Sequence, residues 1–244
     1  MPDIQTLKIK LFADGADLDG IREMAANPLI KGFTTNPTLM RKAGVTDYKT
    51  FAMRALALAG QRPISFEVFA DDFTAMEAQA LEIASWGPSV NVKIPVTNTR
   101  GEFCGPLVER LSGRGVRLNI TAVMTPEQVA RVARALAPDT PAIVSLFAGR
   151  IADTGRDPLP MVAESVSILR SRPQAELIWA SPRELLNVFQ ADAVGCHIIT
   201  ATQDILKKLA LVGKDLEEYS LETVEMFYQD AKAAGYVINP RAVA

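Results

Sequence analysis

The sequence predicts an α/β fold: a single (β/α)8 TIM barrel over residues 1–244 with an extra C-terminal helix. Three observations point there. Eight short apolar runs recur along the chain, each followed by an amphipathic stretch, and that alternation specifies a parallel sheet covered by helices. The runs are apolar on both faces, as strands covered on both sides require. The 244 residues match the size of one barrel, about 250 residues. No linker or break in composition marks a second domain. An open, doubly wound sheet is the alternative that the same pattern allows.

Taken in order, strands are expected near 7–13, 29–34, 63–69, 90–96, 115–121, 141–147, 175–180 and 195–200. Helical patterns fall at 18–26, 47–59, 72–86, 102–112, 126–136, 159–170, 183–192 and 202–208. A further amphipathic helix is expected over 215–234. Helix starts carry recognisable signals. Thr125-Pro126-Glu127 offers an N-cap, a proline for the first turn and an acidic first-turn residue. Ser181-Pro182-Arg183-Glu184 repeats the cap-plus-proline pattern.

Composition narrows the chemistry. The formal charge of −2 offers no basic surface for nucleic acid or membrane. No apolar run reaches the roughly 18 residues of a membrane span. The N-terminal MPDIQTLKIK lacks the apolar core of a signal peptide, so a cytoplasmic protein is expected. Cys104 and Cys196 form no CxxC pair and read as inert, reduced thiols. The single histidine, His197, lies in the apolar run CHIIT and reads as a core residue. One histidine and two scattered cysteines cannot make a zinc site of the usual kind. No metal and no cofactor are expected. Acid–base chemistry falls to carboxylates, lysine and hydroxyls.

Within this frame one residue is out of place. VNVKIPVT at 90–97 alternates as a strand, with Lys93 in its middle. Lys93 is the only lysine between residues 50 and 206, a stretch with thirteen arginines. Burial penalises an ammonium, and a neutral amine attacks carbonyls. Arginine cannot shed its proton at any working pH. A site that needs a deprotonatable amine must therefore use lysine. The bland alternative is a buried structural ion pair with Glu67 or Asp14.

Barrel chemistry gathers at the C-terminal ends of strands. There the sequence places Asp14, Thr34-Thr35-Asn36, Glu67, Lys93 with Thr97, Asn119 with Thr121, Ser145 with Phe147 and Arg150, and Ser181 with Arg183. Period-two alternation puts Asn91 with Lys93, Ser65 with Glu67, and Asn119 with Thr121 on shared faces. Each residue alone has an ordinary reading. Asp14 and Asn36 are good caps, Asn119 and Thr121 could be satisfied ladder residues, Phe147 could be core, and Arg150 and Arg183 could be surface ion-pair partners. Their joint placement at successive strand ends is the argument.

The pieces FADGAD, GFTTNPTLM, SFEV, VNVKIPVT, LNITAVMT, VSLFAGRIAD and WASPRE, in this order from residue 11 to about 186, resemble the transaldolase family, including its short fructose-6-phosphate-aldolase-like members. The resemblance implies a (β/α)8 barrel with a Schiff-base lysine on strand 4, at Lys93. It implies that Asp14 is the acid/base of carbon–carbon cleavage. It gives Glu67 and Thr121 a catalytic water. Asn36, Asn119 and Ser145 would hydrogen-bond the dihydroxyacetone unit, with Thr35 and Phe147 in the same substrate-binding set. Arg150, Ser181 and Arg183 would hold a sugar phosphate, which suits the arginine fork. Glu67 and Phe147 look like the transferring members; glutamine and tyrosine there would look like the members that release dihydroxyacetone. VKIPVT is closer to the short aldolase-like members, and Glu184 beside Arg183 adds a carboxylate that would weaken phosphate binding. Release of dihydroxyacetone, a non-catalytic sugar-phosphate binder and a lyase for another carbonyl substrate stay open. The implied partners are small sugar phosphates and further copies of the chain; nucleic acid and membrane are not expected.

Overall fold

A computed structural model describes residues 3–238; the ends of the expected 1–244 domain, 1–2 and 239–244, lie outside the described residues. Eight parallel strands close into a barrel in chain order. They are β1 (Lys10–Asp14), β2 (Ile30–Thr34), β3 (Ile64–Glu67), β4 (Val90–Pro95), β5 (Leu118–Val123), β6 (Ala142–Leu146), β7 (Ala175–Trp179) and β8 (Ile198–Thr202). β8 pairs with β1, Phe12 opposite Thr200 and Asp14 opposite Thr202. That closure excludes the open sheet. The helices are α1 (Leu18–Ala26), α2 (Pro37–Lys42), α3 (Tyr48–Ala59), α4 (Phe73–Ala84), α5 (Gly105–Gly113), α6 (Pro126–Ala135), α7 (Ala148–Asp153), α8 (Leu159–Leu169), α9 (Leu186–Ala193), α10 (Gln203–Lys207) and α11 (Leu216–Ala233). Among the described residues no helix is long and apolar enough to cross a membrane.

The core follows the strand period. Val90, Val92 and Ile94 of β4 are buried in the large apolar layer between barrel and helices, which leaves Asn91 and Lys93 facing the barrel interior. A smaller apolar cluster inside the barrel contains Phe12, Ile143, Ile178, Ala180 and Ile198. Gly32 makes room for it: a Cβ there would stand 2.4 Å from the Phe12 ring. The polar groups on the C-terminal side of this cluster face one mouth.

Several boundaries differ from the sequence expectation. β3 ends at Glu67, because only Val68 beyond it still bonds back, its N–H donating to Lys93 O at 3.0 Å. α2 and α7 are short helices that a period-based reading passes over, each six residues long. The α6 start is as expected: Thr125 Oγ accepts from Gln128 N at 3.2 Å and Gln128 Oε1 accepts from Thr125 N at 3.1 Å. The Ser181-Pro182 start is not. Ser181 has φ 62° and α9 begins only at Leu186. Ser181 therefore shapes a turn, and the Asn187 side chain accepts from Arg183 N and Glu184 N instead. The α11 helix has no buried residue, so it does not close the mouth of its own barrel.

Candidate active site

The centre is Lys93. It is 6% exposed, its Nζ donates to Thr35 O at 2.9 Å and stands 3.2 Å from Glu67 Oε2. Strand register sets this level of the barrel: Glu67 is opposite Lys93, and Lys93 is opposite Asn119. The ion-pair alternative for Lys93 is thus real, and it names Glu67 as the partner. Glu67 is fixed from behind. The Tyr48 hydroxyl accepts from Glu67 N at 2.7 Å and donates to Glu67 O at 3.0 Å. Its ring packs against Phe66, Phe69 and Trp86, and burial pushes the phenol above its ordinary value. Nothing in the sequence pattern marked Tyr48, because its role depends on where α3 docks.

Asp14 does not cap a helix; Asp17 caps α1. Asp14 Oδ1 accepts from Thr34 Oγ at 2.7 Å, and Asn36 Nδ2 lies 3.5 Å from Oδ2. Burial pushes the Asp14 carboxyl above its ordinary value; the Lys93 charge and the Thr34 hydrogen bond work against that rise, and the Glu67 charge adds to it. Asn36 serves twice, since its Oδ1 also caps α2 by accepting from Leu39 N at 2.9 Å. Thr35 contributes its carbonyl to Lys93, while its own hydroxyl donates to Ser65 O at 2.9 Å.

Asn119 lies in a buried chain. Its Nδ2 donates to Ser65 Oγ at 3.0 Å and its Oδ1 accepts from Ser145 Oγ at 2.7 Å. Thr121 is 3% exposed, and its hydroxyl has no partner among the described residues. It lies with Ala122, which has φ 61°, in a bulge of the β5–β6 pairing between Ile120 and Val123. A bulge at a barrel rim re-aims side chains.

A second group sits at the β6 and β7 ends. Phe147 leads into α7 with Arg150 over its ring, 5.3 Å from the centroid. Gly149 lets this turn lie against β7, since a Cβ there would fall 1.6 Å from Ser181 O. Arg183 Nη1 donates to Ser181 Oγ at 3.2 Å. Its Nε donates to Asp153 Oδ1 at 2.8 Å and its Nη2 to Asp153 Oδ2. The hydrogen bonds from Arg183 hold the Asp153 carboxyl below its ordinary value. The carboxylate beside Arg183 therefore comes from Asp153, whereas the sequence had pointed to Glu184. The signal was present in RIAD, four residues that turn out to be helical.

The remaining reactive residue types lie outside these groups. His197 Nδ1 accepts from Leu177 N at 3.0 Å, and burial lowers its pKa; the residue is half-buried at the strand rather than in the core. Cys104 and Cys196 are buried free thiols, each pushed up to about 12 by burial. Between α1, α2 and α10 a cavity of about 350 Å³ opens beside Asp14, lined also by Asp17, Lys42 and Asp204.

Comparison with known proteins gives the family. The family model described as transaldolase/fructose-6-phosphate aldolase matches residues 11–240. A protein of Dehalococcoides mccartyi named "Probable transaldolase" is 35% identical over 202 residues, covering 82% of this chain and 90% of that protein. One of Thermoanaerobacter sp. with the same name is 33% identical over 231 residues, 94% of this chain and 100% of that one. Among solved structures, a mandelate oxidase variant superposes with a TM-score of 0.55 at 15% identity, covering 96% of this chain and 80% of its own. That likeness is one of fold alone.

Proposed function

The chain belongs to the transaldolase/fructose-6-phosphate aldolase family, and on that premise we propose that it is a transaldolase, moving a dihydroxyacetone unit from fructose 6-phosphate or sedoheptulose 7-phosphate to an aldose phosphate through a Schiff base on Lys93. The observation that carries the reading is the buried Lys93–Glu67 pair, 3.2 Å apart, with Asp14 close enough to feel both charges. The Lys93 amine adds to the ketose carbonyl and water leaves, giving an iminium. Asp14 takes the proton of the hydroxyl whose carbon is to be released. The carbon–carbon bond then breaks, an aldehyde departs, and the electron pair passes into the iminium as a three-carbon enamine. Attack of that enamine on the acceptor aldehyde, with Asp14 returning the proton, reverses the sequence.

Glu67 and Thr121 hold the water that moves protons as the Schiff base forms and breaks; the unpartnered Thr121 hydroxyl supports this. Asn36, Asn119, Ser145 and Thr35 line the three-carbon end, with Phe147 beside them. Arg150, Ser181 and Arg183 take the phosphate. The partners are small sugar phosphates, in pentose-phosphate metabolism or a specialised sugar route. The two buried thiols suit a reducing cytoplasm.

Incubation with fructose 6-phosphate, borohydride reduction and peptide mass spectrometry test the cycle. A reduced three-carbon adduct on Lys93 is expected. No adduct, or one on another lysine, would overturn it and favour a sugar-phosphate binder. Transfer is separated from release by Glu67→Gln: the yield of free dihydroxyacetone relative to transferred product is expected to rise. An unchanged ratio would remove Glu67 from that choice.

The Asp153 carboxylate makes its own prediction. It occupies the Arg183 fork and repels a phosphate. Asp153→Asn is expected to lower KM for a phosphorylated ketose roughly two- to fivefold at low salt, with less effect as salt screens the charges and none on an unphosphorylated ketose. Equal shifts for both donors would place Asp153 outside phosphate recognition. The chain is also proposed to work as a homo-oligomer. Leu216, Leu221, Val224, Phe227 and Tyr228 of α11 are all at least 60% exposed, an apolar surface of the kind that marks association. Size exclusion with light scattering should return a multiple of the chain mass, and Phe227→Glu should reduce it.

A further inference from the structure

A side chain not touching the reacting atoms stands behind Asp14. Thr200 of β8 is 6% exposed, Thr34 of β2 is 3% exposed, and their hydroxyl oxygens are 2.6 Å apart. Both strands flank β1, which carries Asp14. Thr34 Oγ is in turn 2.7 Å from Asp14 Oδ1. The three groups form an unbroken chain across β8, β2 and β1 with both hydroxyls buried, and Phe12, opposite Thr200, belongs to the apolar cluster beneath.

A hydroxyl has one proton to donate. If Thr34 gives its proton to the Asp14 carboxylate, the short contact with Thr200 can be made only by the Thr200 proton. We propose that Thr200 is a positioning residue for Asp14: its hydroxyl donates to Thr34 and so keeps the single Thr34 proton directed at the carboxylate. Chained donors polarise one another, which strengthens the last bond. That bond matters because the other Asp14 oxygen has only the long 3.5 Å approach of Asn36. The chain favours the charged form of a carboxylate that burial disfavours.

The charged groups around Asp14 are few. Lys93 and Glu67 act on it directly, and Asp17, Lys42 and Asp204 line the cavity at its side. None of them hydrogen-bonds to Thr200 or Thr34 among the described residues, so removing one hydroxyl from Thr200 leaves their charges in place. The role in turnover rests on the Schiff-base reading of Asp14, whereas the hydrogen-bond chain itself does not.

The test uses the full chain with Thr200→Val, Thr200→Ala and Thr200→Ser. The Asp14 carboxyl is titrated by carbon-13 NMR, and kcat/KM for fructose 6-phosphate is followed against pH. In Thr200→Val and Thr200→Ala the carboxyl midpoint is expected to move up. Activity on the acid side of the profile falls roughly three- to tenfold, the range a lost hydrogen bond allows, and converges with wild type on the alkaline side. Thr200→Ser returns both. A midpoint that stays put in either folded variant overturns the proposal. So does a loss of rate that is equal at every pH, which is what a packing defect alone would give. If the wild-type chain forms no adduct and cleaves no ketose, the Schiff-base reading fails, and the carboxyl titration still decides the role of Thr200.

Discussion

Replacing Lys93 by arginine is expected to lower turnover about ten-thousand-fold or more, the scale seen when a covalent nucleophile is lost. The substitution keeps the charge that faces Glu67 at 3.2 Å, so the ion pair survives in kind. What it removes is the ability to lose a proton and attack carbon, since a guanidinium stays protonated. A purely structural lysine would tolerate the change with modest loss. Arginine is larger, and overpacking a site that is 6% exposed costs about 1–3 kcal/mol. Lys93→Met, similar in volume and uncharged, is therefore the companion variant. Both should fail to give a borohydride-stable adduct while circular dichroism reports a folded barrel. Activity within tenfold of wild type in either would return Lys93 to a structural role.

Asp14→Asn should separate Schiff-base formation from bond cleavage. Loss of a positioned acid/base costs about a hundred- to ten-thousand-fold. Because Lys93 is intact, the ketose still condenses, and borohydride should trap the uncleaved donor rather than a three-carbon fragment. The mass of the adduct thus reports which step was lost. The same variant should be more stable than wild type at neutral pH. Burial raises the Asp14 pKa in the folded state, so the folded state binds the proton more tightly than the unfolded state does. That advantage is present below the ordinary aspartate value and is lost as pH rises through the raised one. Above the ordinary aspartate value the wild type therefore bears a growing cost for keeping this acid buried, and asparagine does not. The stability gain should vanish in acid. A variant less stable at neutral pH than in acid, relative to wild type, would contradict the burial argument.

The barrel was legible because its signals are local. Period-two apolar runs and intervening helical patterns predict eight strands, and alternation alone puts Lys93, Glu67 and Asn119 inward. Lys93 stands out because the stretch from residue 50 to 206 holds thirteen arginines and no other lysine. What stayed hidden depends on neighbours distant in sequence. Thr200 lies 166 positions from the Thr34 hydroxyl it meets. Arg183 and Asp153, 30 positions apart, meet only because Gly149 lets α7 lie on the end of β7. Ser181-Pro182 mimics a helix start in sequence, yet the left-handed backbone at Ser181 delays the helix to Leu186. The exposed apolar side chains of α11 form a pattern that fits an inward or an outward face equally well until the fold shows that the helix covers nothing of its own barrel.

Closure of the sheet has a consequence for the order of events. A barrel with no open edge leaves Lys93 to be reached from the mouth at the C-terminal ends of its strands. In the proposed cycle, the aldehyde freed from the donor would have to leave by that mouth before the acceptor enters, while the three-carbon remnant stays tethered to Lys93. On that proposal, transfer and release would be two fates of one waiting guest, decided by whether another aldehyde or a water molecule arrives first.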